Sequence, residues 1–237
     1  ICMENCKNTF DSLVETNLSK DEWTSSLFQI VMILVVYQKA LWFTHNDLHS
    51  NNIMYQDTSK KFLFYKYNDV YYKVPTYGRI FKIIDFGRSI YKFKNYLYCS
   101  DAYKKGEDAS SQYNFGPYYD KKKKELIPNF SFDLCRLACS IFDNIFTFNM
   151  VEEYSQNYIE TKCKKDEVAK LINEWCKDDK GRNILYTSEG DERYPEFKLY
   201  KMISRTVNNN LPEKEIQKEV FKKYIVNKKS IKNNLRD

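Results

Sequence analysis

Glycine and proline are scarce, at 6 and 5 of 237 residues. Scarce glycine excludes glycine-rich linkers and repeats, and it gives weight to any glycine inside a motif. Histidine is scarcer still, with His45 and His49 alone. No C-x-x-C pair occurs among the seven cysteines, so Cys/His spacing gives no support for a zinc site. An odd number of thiols without such pairs reads as free cysteines in a reducing, cytoplasmic compartment. Cys135 and Cys139, one helical turn apart, read as core residues. The opening residues do not read as a signal peptide, and residue 1 lies inside an apolar phrase, as in a longer chain. No strong charge bias exists either: 38 basic and 32 acidic side chains leave +6. That balance suits a phosphate-bearing ligand without demanding nucleic acid, which is not expected as a partner. The densest basic cluster, Lys121–Lys124, reads as a solvated loop.

Aromatics are abundant instead, with 20 tyrosines and 16 phenylalanines, and 43% of residues are hydrophobic. A chain of this length buries a substantial core. Asn8–Leu18 reads as a short amphipathic helix with Phe10, Leu13 and Val14 on one side. Ser19 or Asp21 caps a second helix, about Glu22 to Phe43, which is apolar nearly all round. Its core, Leu27–Phe43, is just short of the roughly 20 residues that span a bilayer. It also holds Gln29, Gln38 and Lys39. The expectation is a buried helix and no membrane partner. Ile53–Tyr55 and Arg79–Ile84 read as strands. Phe62–Tyr67 and Val70–Val74 alternate around Asn68-Asp69, as in a hairpin. Residues 87–129 read as irregular. Helices are expected over Phe132–Phe146, Val168–Cys176, Tyr194–Val207 and Glu213–Tyr224, before a tail rich in Lys and Asn.

Two phrases carry chemistry: His45-Asn46-Asp47-Leu48-His49-Ser50-Asn51-Asn52 and Ile83-Ile84-Asp85-Phe86-Gly87. Each adjoins an apolar element, so each sits at a mouth. Magnesium takes hard oxygen ligands, and one carboxylate with one amide oxygen holds it while leaving room for phosphate and water. Asp85 and Asn52 supply that pair. A further carboxylate, Asp47, can orient an acceptor hydroxyl and take its proton. Read singly, Asp47 and Asp85 are also ordinary turn residues; the joint spacing favours chemistry.

His-x-Asp-Leu-x-x-x-Asn followed by Asp-Phe-Gly resembles the protein kinase superfamily. The resemblance implies that Asp47 is the catalytic base and that Asn52 and Asp85 are magnesium ligands. It makes His45 and Phe86 packed spine residues and places Met54 beneath the adenine of ATP. Ile1-Cys2-Met3-Glu4-Asn5-Cys6 resembles the strand and hinge that hold the base, with Met3 as gatekeeper and the backbones of Glu4 and Cys6 meeting the adenine. Phe132-Asp133-Leu134 resembles the start of the central helix, whose Asp braces the catalytic loop. His49 stands where protein kinases usually carry Lys; contact with the transferred phosphate and simple loop packing both remain open for it.

The implied fold is a mainly α kinase-like C-lobe with short β hairpins and no small lobe in the chain. Residues 1–7 would be hinge and 8–225 the lobe, with catalytic loop 45–52, extra hairpin 62–74, magnesium loop 85–87 and activation-like segment 88–129. Residues 226–237 would be a basic tail. The implied activity is transfer of phosphate from ATP, with Mg2+, to Ser or Thr of protein substrates. The chain as given is expected to be a fragment, inactive alone. A pseudokinase or docking module and a small-molecule kinase are the alternatives.

Several features depart from the pattern. No glycine-rich loop, strand lysine or helix-C glutamate precedes the hinge. Asn46 replaces the Arg that pairs with a phosphorylated activation loop, which implies that this switch is not used. The Phe62–Val74 hairpin is extra, and its Tyr65, Tyr67, Tyr71 and Tyr72 offer a docking face for a protein or, as the preferred reading, core or sheet packing. No Ala-Pro-Glu follows the magnesium loop; Gly116-Pro117 or Ile127-Pro128 would replace it. The combination resembles kinase-like proteins of large DNA viruses, whose setting would be the host cytoplasm.

Overall fold

The computed structural model describes residues 5–115, 126–146 and 155–228. Met3 and Glu4, the Lys121–Lys124 run, Gly116-Pro117 and most of the expected tail lie outside these residues. The chain runs β1 (Asn8–Thr9), α1 (Phe10–Val14), α2 (Lys20–Leu41), β2 (Ile53–Asp57), β3 (Phe62–Tyr67), β4 (Val70–Pro75), β5 (Arg79–Ile83), β6 (Ile90–Phe93) and β7 (Tyr96–Cys99). It continues as α3 (Phe132–Ile145), α4 (Gln156–Lys165), α5 (Glu167–Trp175), α6 (Lys198–Thr206), α7 (Pro212–Glu215), α8 (Glu219–Lys222) and β8 (Ile225–Val226).

The expectation of a mainly α lobe is corrected. Among the described residues 42% are helical and 19% are strand, a mixed composition. Three small antiparallel sheets form, ordered β1-β2-β5, β3-β4-β8 and β6-β7. Two of the additions were read otherwise from sequence. The β6–β7 hairpin lies inside the stretch expected to be irregular, and it turns at Lys94 and Asn95, both with positive φ (48° and 67°). β8 pairs with β4 after the expected helix over Glu213–Tyr224 breaks into α7 and α8. The break sits at Lys218, whose extended backbone (ψ 151°) carries its ammonium to Glu174 (2.6 Å) and Glu215 (3.5 Å).

α2 is the axis of the core. Ser19 caps it and forms a capping box with Glu22, satisfying amides that the first turn leaves unpaired. By length and composition the helix could cross a membrane. Its interior polar groups argue for the core instead, because each has a protein partner. Gln29 accepts from the Phe81 amide (3.2 Å) and donates to the Arg79 carbonyl (3.4 Å), pairing backbone on the outer edge of β5. Gln38 donates to the Phe130 carbonyl (3.0 Å), and Lys39 meets Glu213 (2.8 Å). Leu27, Phe28, Ile30, Val31 and Leu34 are fully buried.

The β3–β4 hairpin packs on this helix. Phe28 lies 5.6 Å from the Tyr65 ring and 5.1 Å from that of Tyr72, which is 2% exposed. Tyr67 donates to Glu213 at 3.1 Å. Tyr71, the fourth hairpin tyrosine, lies under the Lys66 ammonium (5.8 Å), so all four serve intramolecular contacts. α3 runs through the second half of the core, with Phe132, Leu134, Leu137, Ala138, Ile141 and Phe142 fully buried.

Candidate functional site

The site is assembled where β2 and β5 end. In their antiparallel register Ile53 faces Ile83, and the Ile84 amide donates to the Asn52 carbonyl at 3.0 Å. The pairing thus brings the last residue of the first motif beside the residue that precedes Asp85. Two motifs some thirty positions apart share one mouth.

The loop before β2 is pinned from below. Asp133, fully buried in the first turn of α3, accepts from the amide of His45 through one carboxylate oxygen and from that of Asn46 through the other, each at 2.8 Å. This is the bracing role expected for Asp133. Burial pushes its carboxyl up, while the two amide bonds and neighbouring His45 oppose the shift. Asn46 adopts φ 64°, a left-handed conformation that asparagine tolerates better than most residues. Its side-chain amide donates to Thr44 Oγ1 (3.0 Å) and to the Arg88 carbonyl (3.1 Å). Its Oδ1 accepts from the Tyr113 hydroxyl (2.5 Å), and its carbonyl accepts from Gln112 (3.3 Å). Where the resemblance would place a cation for a phosphate, neutral hydrogen bonds tie the activation-like segment to the loop.

His45 is fully buried and joins the motifs. Its Nδ1 accepts from the Asp47 amide at 3.3 Å, which leaves Nε2 to donate to the Ile84 carbonyl at 2.8 Å. The Phe86 ring lies 5.7 Å from His45 and 5.9 Å from Phe43. Phe86 is nevertheless 47% exposed, so it is packed on one side only.

Asp85 sits at φ 60°, ψ 72°, and its Oδ1 accepts from the Gly87 amide at 3.3 Å. The carboxylate is exposed. Asn52 is nearly buried, and its Nδ2 donates to the Asp47 carbonyl at 2.9 Å. With Nδ2 committed, Asn52 presents Oδ1, which takes no hydrogen bond among the described residues. One carboxylate and one amide oxygen are a donor set that fits magnesium carried by a nucleotide, because the ion keeps most of its shell as phosphate and water. Among the described residues no group of three or more His, Cys, Asp or Glu could hold a metal ion. A dedicated all-protein metal cage is therefore not what these residues build.

Asp47 is partly covered, with its side chain 18% exposed. Its Oδ1 accepts from the Tyr200 hydroxyl at 2.6 Å, and Arg88 Nη1 lies 3.3 Å from Oδ2. His49 Nε2 is 3.9 Å from Oδ1. Burial holds the His49 imidazole below its ordinary range, Arg136 adds to that, and Asp47 opposes it. Burial pushes the Tyr200 phenol up, so it stays a donor at neutral pH.

The other expected residues lie along the β1-β2-β5 sheet. Met54, half-buried, pairs with Thr9 and Lys82 and points away from core residues Ile53 and Tyr55. Cys6 is half-buried beside the far end of β2, where Lys7 meets Asp57 at 2.6 Å and Gln56 donates to the Asn5 carbonyl at 3.1 Å. The structure thus brings together Asp47, His49 and Asn52 on one loop, places Asp85 beside them, and sets Met54 and Cys6 along the adjoining strands.

Three residues at the site escaped the sequence reading: Arg88, Arg136 and Tyr200. Arg88 directly follows Asp-Phe-Gly, and that adjacency was a usable signal. Arg136, one turn after Asp133, lies against the Tyr200 ring, and Tyr200, on α6, reaches Asp47 through tertiary packing alone.

Comparison with known proteins adds little. Over 69 residues the chain is 39% identical to Uncharacterized protein 098R of Invertebrate iridescent virus 6. The match covers 27% of this chain and 12% of the viral protein. No family model matches the chain.

Proposed function

We propose that this chain carries the catalytic and magnesium-holding residues of an ATP-dependent phosphotransferase acting on hydroxyl groups of proteins, Ser or Thr first among them. One observation carries the reading. The Asp133 carboxylate, the His45 imidazole and the Asn52 amide together fix Asp47, Asn52 Oδ1 and Asp85 at a single mouth. None of the three ties is needed for an ordinary turn, and together they leave Asn52 Oδ1 without a hydrogen bond among the described residues and the Asp85 carboxylate exposed.

Asp47 orients the acceptor hydroxyl and takes its proton as the oxygen attacks the γ-phosphorus, whose bond to the bridging oxygen breaks so that ADP leaves with that electron pair. Asn52 Oδ1 and the Asp85 carboxylate are the residues that would hold magnesium. The ion, when bound, spreads the charge of the phosphates and keeps them in line. The strands running from beside Cys6 past Met54 to Asn52 would seat the nucleotide.

The test is transfer of labelled γ-phosphate from Mg-ATP to generic protein substrates, by a chain carrying a small lobe ahead of residue 1. Asp47→Asn is the control, and a loss of about 100-fold or more is expected. Absence of transfer by the unsubstituted protein to proteins and to a metabolite panel would end the reading.

A further inference from the structure

The group closest to the candidate base is another residue's hydroxyl. Tyr200 donates to Asp47 Oδ1 at 2.6 Å. An acceptor substrate must make the same bond before Asp47 can take its proton. The Tyr200 ring is gripped from several directions. Phe197 stacks on it at 4.8 Å and 4°, and Phe132 lies 5.9 Å away. The guanidiniums of Arg88 and Arg136 lie 5.7 Å and 5.0 Å from the ring centre. Arg88 closes the other side by reaching Asp47 Oδ2. Arg136 Nε is buried without a hydrogen-bond partner, and the guanidinium lies against the Tyr200 ring.

α6 is fastened unevenly. Asn129 donates to the carbonyls of Ser204 (3.1 Å) and Val207 (2.8 Å), which ties down the C-terminal end. The N-terminal end follows Glu196 at φ 53°, an unfavourable value for glutamate, and Phe197 gives no side-chain cap. Tyr200 lies on this uncapped half.

We propose that Tyr200 occupies the acceptor subsite as the chain's own hydroxyl, so that the N-terminal half of α6 must leave Asp47 before a substrate hydroxyl can enter. The kinetic consequence rests on the phosphoryl-transfer reading; the closure itself does not. The residues that stay when α6 moves, Asp47, Arg88, Arg136 and Phe132, line the subsite.

Two measurements test the closure. In the 237-residue chain, Asp47 is labelled with a water-soluble carbodiimide and an amine, and its rate is read by mass spectrometry with exposed Asp85 as internal reference. Tyr200→Phe should label Asp47 roughly ten- to hundred-fold faster, the factor for losing one hydrogen bond to a carboxylate. Phe197→Ala, which leaves Asp47 and its bonding groups untouched, should also speed it. An unchanged or slower rate in both variants overturns the closure. In a transfer-competent chain, Tyr200→Phe should lower KM for the protein acceptor. A fall in kcat with KM unchanged would make Tyr200 a positioning residue and overturn the proposal. Faster labelling with no transfer by either protein would keep the closure and remove the reaction assignment.

Discussion

Asn52 gives its side-chain amide to the carbonyl of Asp47 at 2.9 Å, and this bond decides which of its atoms faces outward. A residue with the same shape but no donor would place two oxygens against each other. Asn52→Asp should therefore destabilise the fold by about 1–3 kcal/mol at neutral pH, as for a buried hydrogen bond replaced by a charged acceptor facing a carbonyl. Urea unfolding measures it. A variant as stable as the parent would show that the loop is held without this bond.

Asp133 makes a second prediction. Its two oxygens accept from two successive amides. Asparagine can accept at one oxygen only and turns an N–H toward the other amide. Asp133→Asn should cost about 1–3 kcal/mol, and hydrogen exchange should quicken at the amides of His45 and Asn46. Unchanged protection there would mean that the loop's order comes from elsewhere.

His49 predicts a pH dependence. Its imidazole is held below the ordinary value by burial first and by Arg136 second. Above about pH 6.5 the ring is neutral in folded and unfolded chains alike. As pH falls below that value the unfolded chain takes the proton first, so stability declines, and the loss is complete once pH passes the folded value. His49→Gln should flatten this slope in urea midpoints taken from pH 8 downward. A proton NMR titration, with His45 as the only other imidazole, should place the His49 midpoint below 6.5.

The β3–β4 turn offers a stabilising change. Asn68 and Asp69 hold φ of 45° and 62°, the pair of values that a two-residue hairpin turn of the mirror-image type requires. Glycine meets the second position without strain. Asp69→Gly should stabilise by up to about 1 kcal/mol, because the Lys66–Asp69 pair it removes is exposed and contributes little. A lower thermal midpoint would contradict this.

Local chemistry was legible in the sequence where it was written locally. Ser19 or Asp21 marks the start of α2, with Ser19 the cap in the structure, and Asn68-Asp69 marks the hairpin turn. Asp47, Asn52 and Asp85 could be read because each lies in a short phrase of fixed spacing. The β6–β7 hairpin was missed although Tyr91, Phe93, Tyr96 and Leu97 sit where a strand pair would put them; Lys94-Asn95 is a weaker turn signal than a glycine would be. The mixed character of the fold was missed for the same reason, together with β8, a two-residue strand that exists only because β4 is there to receive it. Tyr200 was invisible, since nothing in α6 records which loop it will meet.

The pairing of β8 with β4 also bears on how the protein is made. Tyr71 and Tyr72 emerge from the ribosome early, yet their strand partners Val226 and Ile225 emerge late. Until then the aromatic hairpin carries an open edge, the kind of surface on which nascent chains pair with each other instead. Synthesis is thus a period of hazard for this hairpin, and the arrival of β8 closes the β4 edge.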